Sequence, residues 1–316
     1  MSTEGRRHPR NELNDLTGTE WIKFTKTWFH LGCDGQVAAD HTDTSWMVVD
    51  SRRYHRNRAA ELHPARYPEE LVHQFLGFFT KPGAWVLDPF AGSGATLVAC
   101  REAGRHSVGL ELSGRYARVA QERLAGAGAA DADPTAQVVC ADARLAAAPG
   151  FWREQRVPGL EVGPDGLPRF HLLMTSPPYW DMLGHSRGGV ESTHQRRAKR
   201  DLDTVYSADP RDLGNIRDYD EFIEALGGIF DPLGGLLRPE SYLVVVAQNL
   251  RAPTGEVKPL AWDLTRRLSQ TYLFQGERIW CQNSKRLGIW GYPRTFVPNY
   301  HHHYCLIFRH SARREG

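Results

Sequence analysis

The most specific chemistry in this sequence sits in Thr175–Trp180, TSPPYW, directly after the apolar run Leu172–Met174. Two successive prolines hold φ near about −65° and remove two backbone donors. The carbonyls of Ser176 and Pro177 can then face a cavity instead of joining a strand ladder. Tyr179 offers a flat face on which an extruded base could stack, and Ser176 could hydrogen-bond an exocyclic amine. A second stretch, VLDPFAGSGAT (Val86–Thr96), is a glycine-rich turn between an apolar run and a helical pattern. Gly92 and Gly94 allow close backbone approach, and the helix start that follows offers free N–H groups to an anion. Leu97 occupies the third glycine position of a dinucleotide fingerprint, and no Lys follows as in a phosphate loop. Asp88 ahead of the turn would complement a ligand cation such as an ammonium. Glu111 ends the next apolar run, where an acidic residue takes ribose hydroxyls; a favourable helix-start charge is the other reading. Asp142 ends the run after that, and could bind an adenine amino group or cap a helix starting at Ala143.

These residues need elements to position them. Periodicity predicts helices over Pro68–Phe79, Ala95–Glu102, 114–124, Asp220–Ile229 and Leu260–Leu268, and a short amphipathic helix over Thr17–Phe29. Strands are predicted at Ala84–Leu87, His106–Leu110, Gln137–Ala141, His171–Met174, Tyr242–Ala247, Phe274–Trp280 and Tyr304–Phe308. The alternation implies a doubly wound, mostly parallel α/β sheet, Rossmann-like, with helices on both faces. In such sheets ligands bind outside the carboxyl ends of the strands. The glycine-rich turn, Glu111, Asp142 and the Ser-Pro-Pro-Tyr segment all fall at predicted strand C-termini, which is stronger than any one motif.

The chain has 316 residues, 41% hydrophobic, with a formal net charge of +2. Its mean hydropathy is −0.49, and no apolar run approaches the ~18 residues of a membrane span. The opening residues carry no apolar stretch of the secretory type. The five cysteines (Cys33, Cys100, Cys140, Cys281, Cys305) include no CxxC pair, which argues against a zinc site or disulfide framework and for a reducing compartment. No cysteine follows a proline, so covalent attack on a pyrimidine ring is not expected. His301-His302-His303 has no acidic neighbour in sequence, and no metal is expected.

From about His63 to Arg309 the sequence resembles the DNA amino-methyltransferases that use S-adenosylmethionine. HPARYPEELV (His63–Val72) resembles the family's segment over the methionine end of the cofactor, DPFAGSGAT its cofactor loop, GLEL (Gly109–Leu112) its ribose-binding strand end and CADAR (Cys140–Arg144) its adenine-binding one. TSPPYW resembles its catalytic segment and PRTFVPNYHHHYCLIFRH (Pro293–His310) its closing strands. The resemblance implies a seven-stranded methyltransferase sheet, with S-adenosylmethionine as cofactor and S-adenosylhomocysteine as product. Cofactor-binding residues would be Ala65, Tyr67, Asp88, Phe90, Ala91, Gly92, Ser93, Gly94, Thr96, Glu111, Asp142, Ala143 and Thr175. The catalytic set would be Ser176, Pro177, Pro178 and Tyr179. Members with Ser at the start of the segment usually modify N4 of cytosine, and those with Asp or Asn usually modify N6 of adenine. Ser176 favours cytosine, with adenine-N6 and RNA-base methylation as alternatives.

The cofactor motif precedes the catalytic one, and little sequence separates them. A separate recognition domain is not expected. The division is a 1–60 N-terminal extension and a 61–316 catalytic domain with a DNA-contacting insertion at about 181–215. Trp180, Arg187, Arg196, Arg197, Lys199 and Arg200, with Arg52 and Arg53 in the extension, are the candidate DNA contacts, since clustered Arg and Lys give salt-dependent phosphate binding. The partner expected is double-stranded DNA, with a cognate restriction endonuclease as a second partner. The setting expected is the cytoplasm of a bacterium or archaeon, or a phage-encoded protein.

Overall fold

A computed structural model describes residues 9, 11, 13–17, 28–30, 67–128, 134–180, 209–252, 255–281, 300 and 302–311. The elements in chain order are β1 (Trp28–His30), α1 (Glu69–Phe79), β2 (Trp85–Asp88), α2 (Ala95–Glu102), β3 (His106–Glu111), α3 (Gly114–Gly126) and β4 (Ala136–Cys140). After a 3-10 turn at Ala143–Ala147 come α4 (Phe151–Gln155), β5 (Phe170–Thr175), α5 (Tyr219–Leu233) and β6 (Leu237–Ala247). The small pair β7 (Leu250–Arg251) and β8 (Val257–Lys258) leads to α6 (Leu260–Leu268), β9 (Leu273–Cys281) and β10 (His302–Arg309).

The main sheet runs β1-β9-β10-β6-β5-β2-β3-β4. Strands β4, β3, β2, β5 and β6 are parallel neighbours. β10 enters antiparallel between β6 and β9. The order reverses at β2 and β5, so the two crossovers leave a crevice at their carboxyl ends. That is where Asp88 and Thr175 fall.

Burial is nearly continuous along the inner strands because both faces of the sheet are covered, and successive residues alternate between the two layers. Leu87, Leu173 and Val245 face one layer, with α5, α6 and Trp152. Val86, Leu172, Met174, Val244 and Val246 face the other, with Phe75 and Leu76 of α1. Each such fully buried aliphatic side chain is worth roughly 1.5–3 kcal/mol relative to exposure. Caps set the helix starts nearest the crevice. Ser113 Oγ accepts from Tyr116 N at α3, and Asp218 Oδ1 accepts from Glu221 N at 2.8 Å at α5.

Two expectations change. The seven predicted strands are all present, and a short eighth, β1, pairs in parallel with β9 at the edge. The helix expected over Thr17–Phe29 is therefore not formed at its end, since Trp28 and Phe29 are in a strand. Aromatic spacing compatible with a helix turn lost there to an open sheet edge, which offers backbone partners. The rest of that span lies outside the described residues.

Candidate active site

The glycine-rich turn is built by backbone sterics. After β2 the chain passes through Gly92 at φ 51° and Gly94 at φ 81°, the left-handed region glycine enters without cost. Gly94 N donates to Ala91 O at 2.8 Å, and Ala91 N donates to Leu110 O at 2.9 Å, pinning the turn to β3. A Cβ on Gly94 would stand 2.9 Å from Ala120 Cβ, and one on Gly109 would stand 2.7 Å from both Ala91 Cβ and Leu97 Cδ1. The turn thus nests between β3 and α3. From behind, Arg123 of α3 donates to the Ser93 carbonyl and, at 3.1 Å, to Ser93 Oγ, and it pairs with Glu69 of α1.

Asp88 is 2% exposed and accepts four hydrogen bonds. They come from Thr96 Oγ1 at 2.5 Å, Thr175 Oγ1 at 2.6 Å, Tyr67 Oη at 3.2 Å and Phe90 N at 3.0 Å. Burial pushes its carboxyl above the ordinary range, and the donors pull against that. Its carboxylate ties the turn, the helix after it, and the strand leading to Ser176 into one unit. Tyr67, Asp88, Thr96 and Thr175 bond one another and are absent from the cavity lining. Their structural part is to hold the turn and the Ser-Pro-Pro-Tyr segment in register.

Beside this hub lies a cleft of about 710 Å³ of empty space, partly open to solvent. Apolar walls come from Pro89, Phe90, Leu110, Leu112, Ala143, Leu213 and Ile229. Glu111 is its central acid. Its Oε2 accepts from Gly92 N and its Oε1 from Ser113 N, both at 2.8 Å. Burial raises Glu111 to about 7 against those two donors, and the charges of Asp88 and Asp212 add to the rise. Each oxygen keeps a lone pair for a ligand hydroxyl. Asp142 also lines the cleft. It does what the capping alternative foresaw: Oδ1 accepts from Arg144 N at 2.9 Å at the start of the 3-10 turn. Its Oδ2 accepts from Arg144 Nη1 at 2.9 Å, and the same nitrogen reaches Arg211 O at 3.2 Å.

Ser176, Pro177 and Pro178 form another wall of this cleft. Ser176 Oγ is 2.8 Å from Tyr179 Oη, and both hydroxyls stand 3.2 Å from Val246 O. One donates to that carbonyl and the other to its neighbour, so the pair fixes the serine's orientation. The Tyr179 ring is 4% exposed, which buries the platform proposed for stacking in this conformation. Trp180 follows at φ 44°, a strained conformation for a non-glycine residue, with its ring edge on Tyr219 at 5.4 Å.

Of the predicted residues, the structure gathers Phe90, Gly92, Glu111, Asp142, Ala143, Ser176, Pro177 and Pro178 around one cleft. Ala91, Ser93 and Gly94 shape the turn. Ala65, Arg52, Arg53, Arg187, Arg196, Arg197, Lys199 and Arg200 lie outside the described residues. Sequence reasoning missed Arg144, Arg211, Asp212 and Leu213, which complete the walls. The end of the stretch expected to contact DNA, residues 209–215, forms a turn against the cleft. The Asp-Leu-Gly-Asn spacing at 212–215 was the available signal, since Asp212 Oδ1 caps Gly214 N at 2.9 Å. No group of metal-binding side chains occurs among the described residues, and no described helix is long and apolar enough to cross a membrane.

An apolar slot with a carboxylate and a glycine turn at one end fits an adenosyl group, which pairs a flat base with vicinal hydroxyls. Strand order and cleft together define a Rossmann-like α/β sheet with a ligand crevice at the carboxyl ends of its strands. Residues 10–122 match the model of the DNA methylase family of N6/N4 type, which bears out the resemblance for the motifs from His63 to Leu112. The chain is 45% identical over 67 residues to the type II methyltransferase M.Cfr9I of Citrobacter freundii, covering 21% of this chain and 22% of that one. It is 37% identical over 81 residues to M.MthZI of Methanothermobacter thermautotrophicus, covering 26% and 22%. The matches thus span less than a quarter of those relatives' own length. Among solved structures, an S-adenosylmethionine-dependent methyltransferase from Methanosarcina mazei is similar over 78% of this chain and 99% of that one, with TM-score 0.42 and 12% identity. The magnesium protoporphyrin IX methyltransferase of Synechocystis PCC 6803, solved with bound S-adenosylmethionine, is similar over 72% and 70%, with TM-score 0.37 and 14% identity.

Proposed function

We propose that this protein is an S-adenosylmethionine-dependent DNA methyltransferase that modifies the exocyclic N4 amine of cytosine in a flipped-out base. The supporting observation is that Gly92, Glu111 and Ser176–Pro178 line a single cleft, so a cofactor site and an amine-binding segment adjoin. S-adenosylmethionine, when bound, supplies an electrophilic methyl on a sulfonium. Glu111 would hold the ribose hydroxyls, and the walls at Leu112 and Ala143 the adenine. Exocyclic amines are weak nucleophiles because their lone pair is delocalised into the ring. Ser176 Oγ and the Pro177 carbonyl would accept hydrogen bonds from the amine, favouring a pyramidal nitrogen and aiming its lone pair. Such positioning supplies several kcal/mol. Tyr179 orients Ser176 through their shared Val246 carbonyl.

Serine in the first position of the segment supports cytosine over adenine. The partner is double-stranded DNA, held by the basic clusters at 52–58 and 194–200 in the division 1–60 and 61–316; a cognate endonuclease fits a type II setting. The test is Ser176→Ala with nucleoside mass spectrometry of methylated duplex DNA. N4-methylcytosine from the wild type, and none from the variant despite retained cofactor binding, supports the assignment. N6-methyladenine instead, or full activity in the variant, overturns it.

A further inference from the structure

Two carboxylates face the cleft whose hydrogen-bonding capacity differs from what spacing alone suggests. Asp142, the expected acceptor at the base end, is engaged on both oxygens by Arg144. Asp212, which neither motif nor spacing singled out, lines the same cleft. Its Oδ1 caps Gly214 N at 2.9 Å, and its Oδ2 has no hydrogen-bond partner among the described residues.

The turn that presents Asp212 is rigid. Asp212 N donates to Asp209 O at 3.0 Å, Asn215 N donates to Asp212 O at 3.0 Å, and Asn215 Nδ2 donates to Asp209 O at 2.8 Å. Leu213, the next residue, is 4% exposed in the main core. Arg144 ties the turn to the wall formed by Asp142 through Arg211 O. Asp212 is therefore placed by packing, and its spare oxygen is left to water or to a donor that a ligand brings.

The neighbouring acid identifies which donor. Asp212 and Glu111, the sugar-end carboxylate, line the same cleft. Two carboxylates converging on one nucleoside match its two vicinal hydroxyls, each a donor. We infer that Asp212 is a second binding carboxylate of the cleft, its Oδ2 accepting a hydrogen bond from one ribose hydroxyl while Glu111 takes the other. This rests on the nucleoside reading of the cleft and extends it to the wall formed after the catalytic segment.

The test is calorimetric binding of 5′-methylthioadenosine and its 2′-deoxy and 3′-deoxy analogues to the full chain and to Asp212→Ala and Asp212→Asn. Methylthioadenosine lacks the amino-acid end, so only the nucleoside is read. Asp212→Ala should bind the parent about tenfold more weakly. Against the analogue lacking the hydroxyl that Asp212 holds, it should bind as the wild type does. Asp212→Asn keeps an oxygen to cap Gly214 and should show the same selectivity with a smaller loss. Equal losses against parent and both analogues would mean a structural role, and unchanged binding of the parent by both variants would mean no contact; either overturns the inference. A wild type that binds none of the three nucleosides overturns the cofactor reading itself, and the inference with it.

Discussion

Glu111 should make nucleoside binding depend on pH in a direction the structure dictates. Burial and the nearby Asp88 and Asp212 raise it to about 7, and Gly92 N and Ser113 N pull the other way. About one tenth of it is then ionised at about pH 6 and about nine tenths at about pH 8. Ribose hydroxyls donating to the carboxylate favour its ionised form. Binding should therefore expel a proton, and affinity should rise about tenfold between those two pH values and then level off. Calorimetry with methylthioadenosine in two buffers of different ionisation enthalpy counts the proton directly, free of titration by a cofactor ammonium. Glu111→Gln should bind about tenfold or more weakly at the upper pH, having lost a charged acceptor, and its profile should be flat. A flat wild-type profile, or the same slope in Glu111→Gln, would refute the reasoning. The same shift acts on folding. A carboxyl raised in the folded state opposes folding at pH above about 7, and this opposition disappears below its ordinary value of 4.5.

The remaining predictions concern the scaffold behind the cleft. Gly109→Ala places a Cβ 2.7 Å from Ala91 Cβ and Leu97 Cδ1. Overpacking of this kind costs roughly 1–3 kcal/mol, to be read as a lower melting temperature, and unaltered melting would show that the turn can shift. Asp88→Asn replaces one of the two oxygens that share its four donors with an NH2 group, which leaves at least one hydroxyl without its acceptor, and should cost about 2–4 kcal/mol, while weakening methylthioadenosine and S-adenosylhomocysteine alike. If Asp88 served chiefly as ammonium ligand, stability would hold and only S-adenosylhomocysteine binding would fall.

Local patterns in the sequence carry much of this architecture. The run Leu172–Met174 and the Gly92–Gly94 turn are each specified by neighbours in sequence, so their strand and turn were legible. Helix α2, Ala95–Glu102, matches its predicted bounds. Helix α5 begins at Tyr219 and runs on to Leu233, past the predicted end at Ile229, because packing of Phe230 and Leu233 into the core pays for turns that periodicity left undecided. Helix α4 was not foreseen, and the turn at 143–147 was foreseen only as the capping alternative for Asp142. Each is five residues long, and they are held by contacts such as Trp152 Nε1 to Ala146 O at 2.6 Å and by burial against Phe170.

What the sequence by itself determined is the set of strand ends and the residues standing on them: Asp88, Glu111, Asp142 and Ser176. A buried parallel strand needs a continuous apolar run, and such a run ends visibly where a polar residue must leave the sheet. What only the tertiary structure decided is how those residues spend their hydrogen bonds. Asp88 is consumed by three hydroxyls from separate segments and Asp142 by Arg144. Glu111 holds the turn and still faces the cleft, and Asp212 arrives from a distant turn with an oxygen to spare. Hydrogen-bond satisfaction is a property of the packed neighbourhood, and residues far apart in the chain compete for the same acceptor. Spacing shows where a carboxylate stands; only packing shows what is left for a ligand.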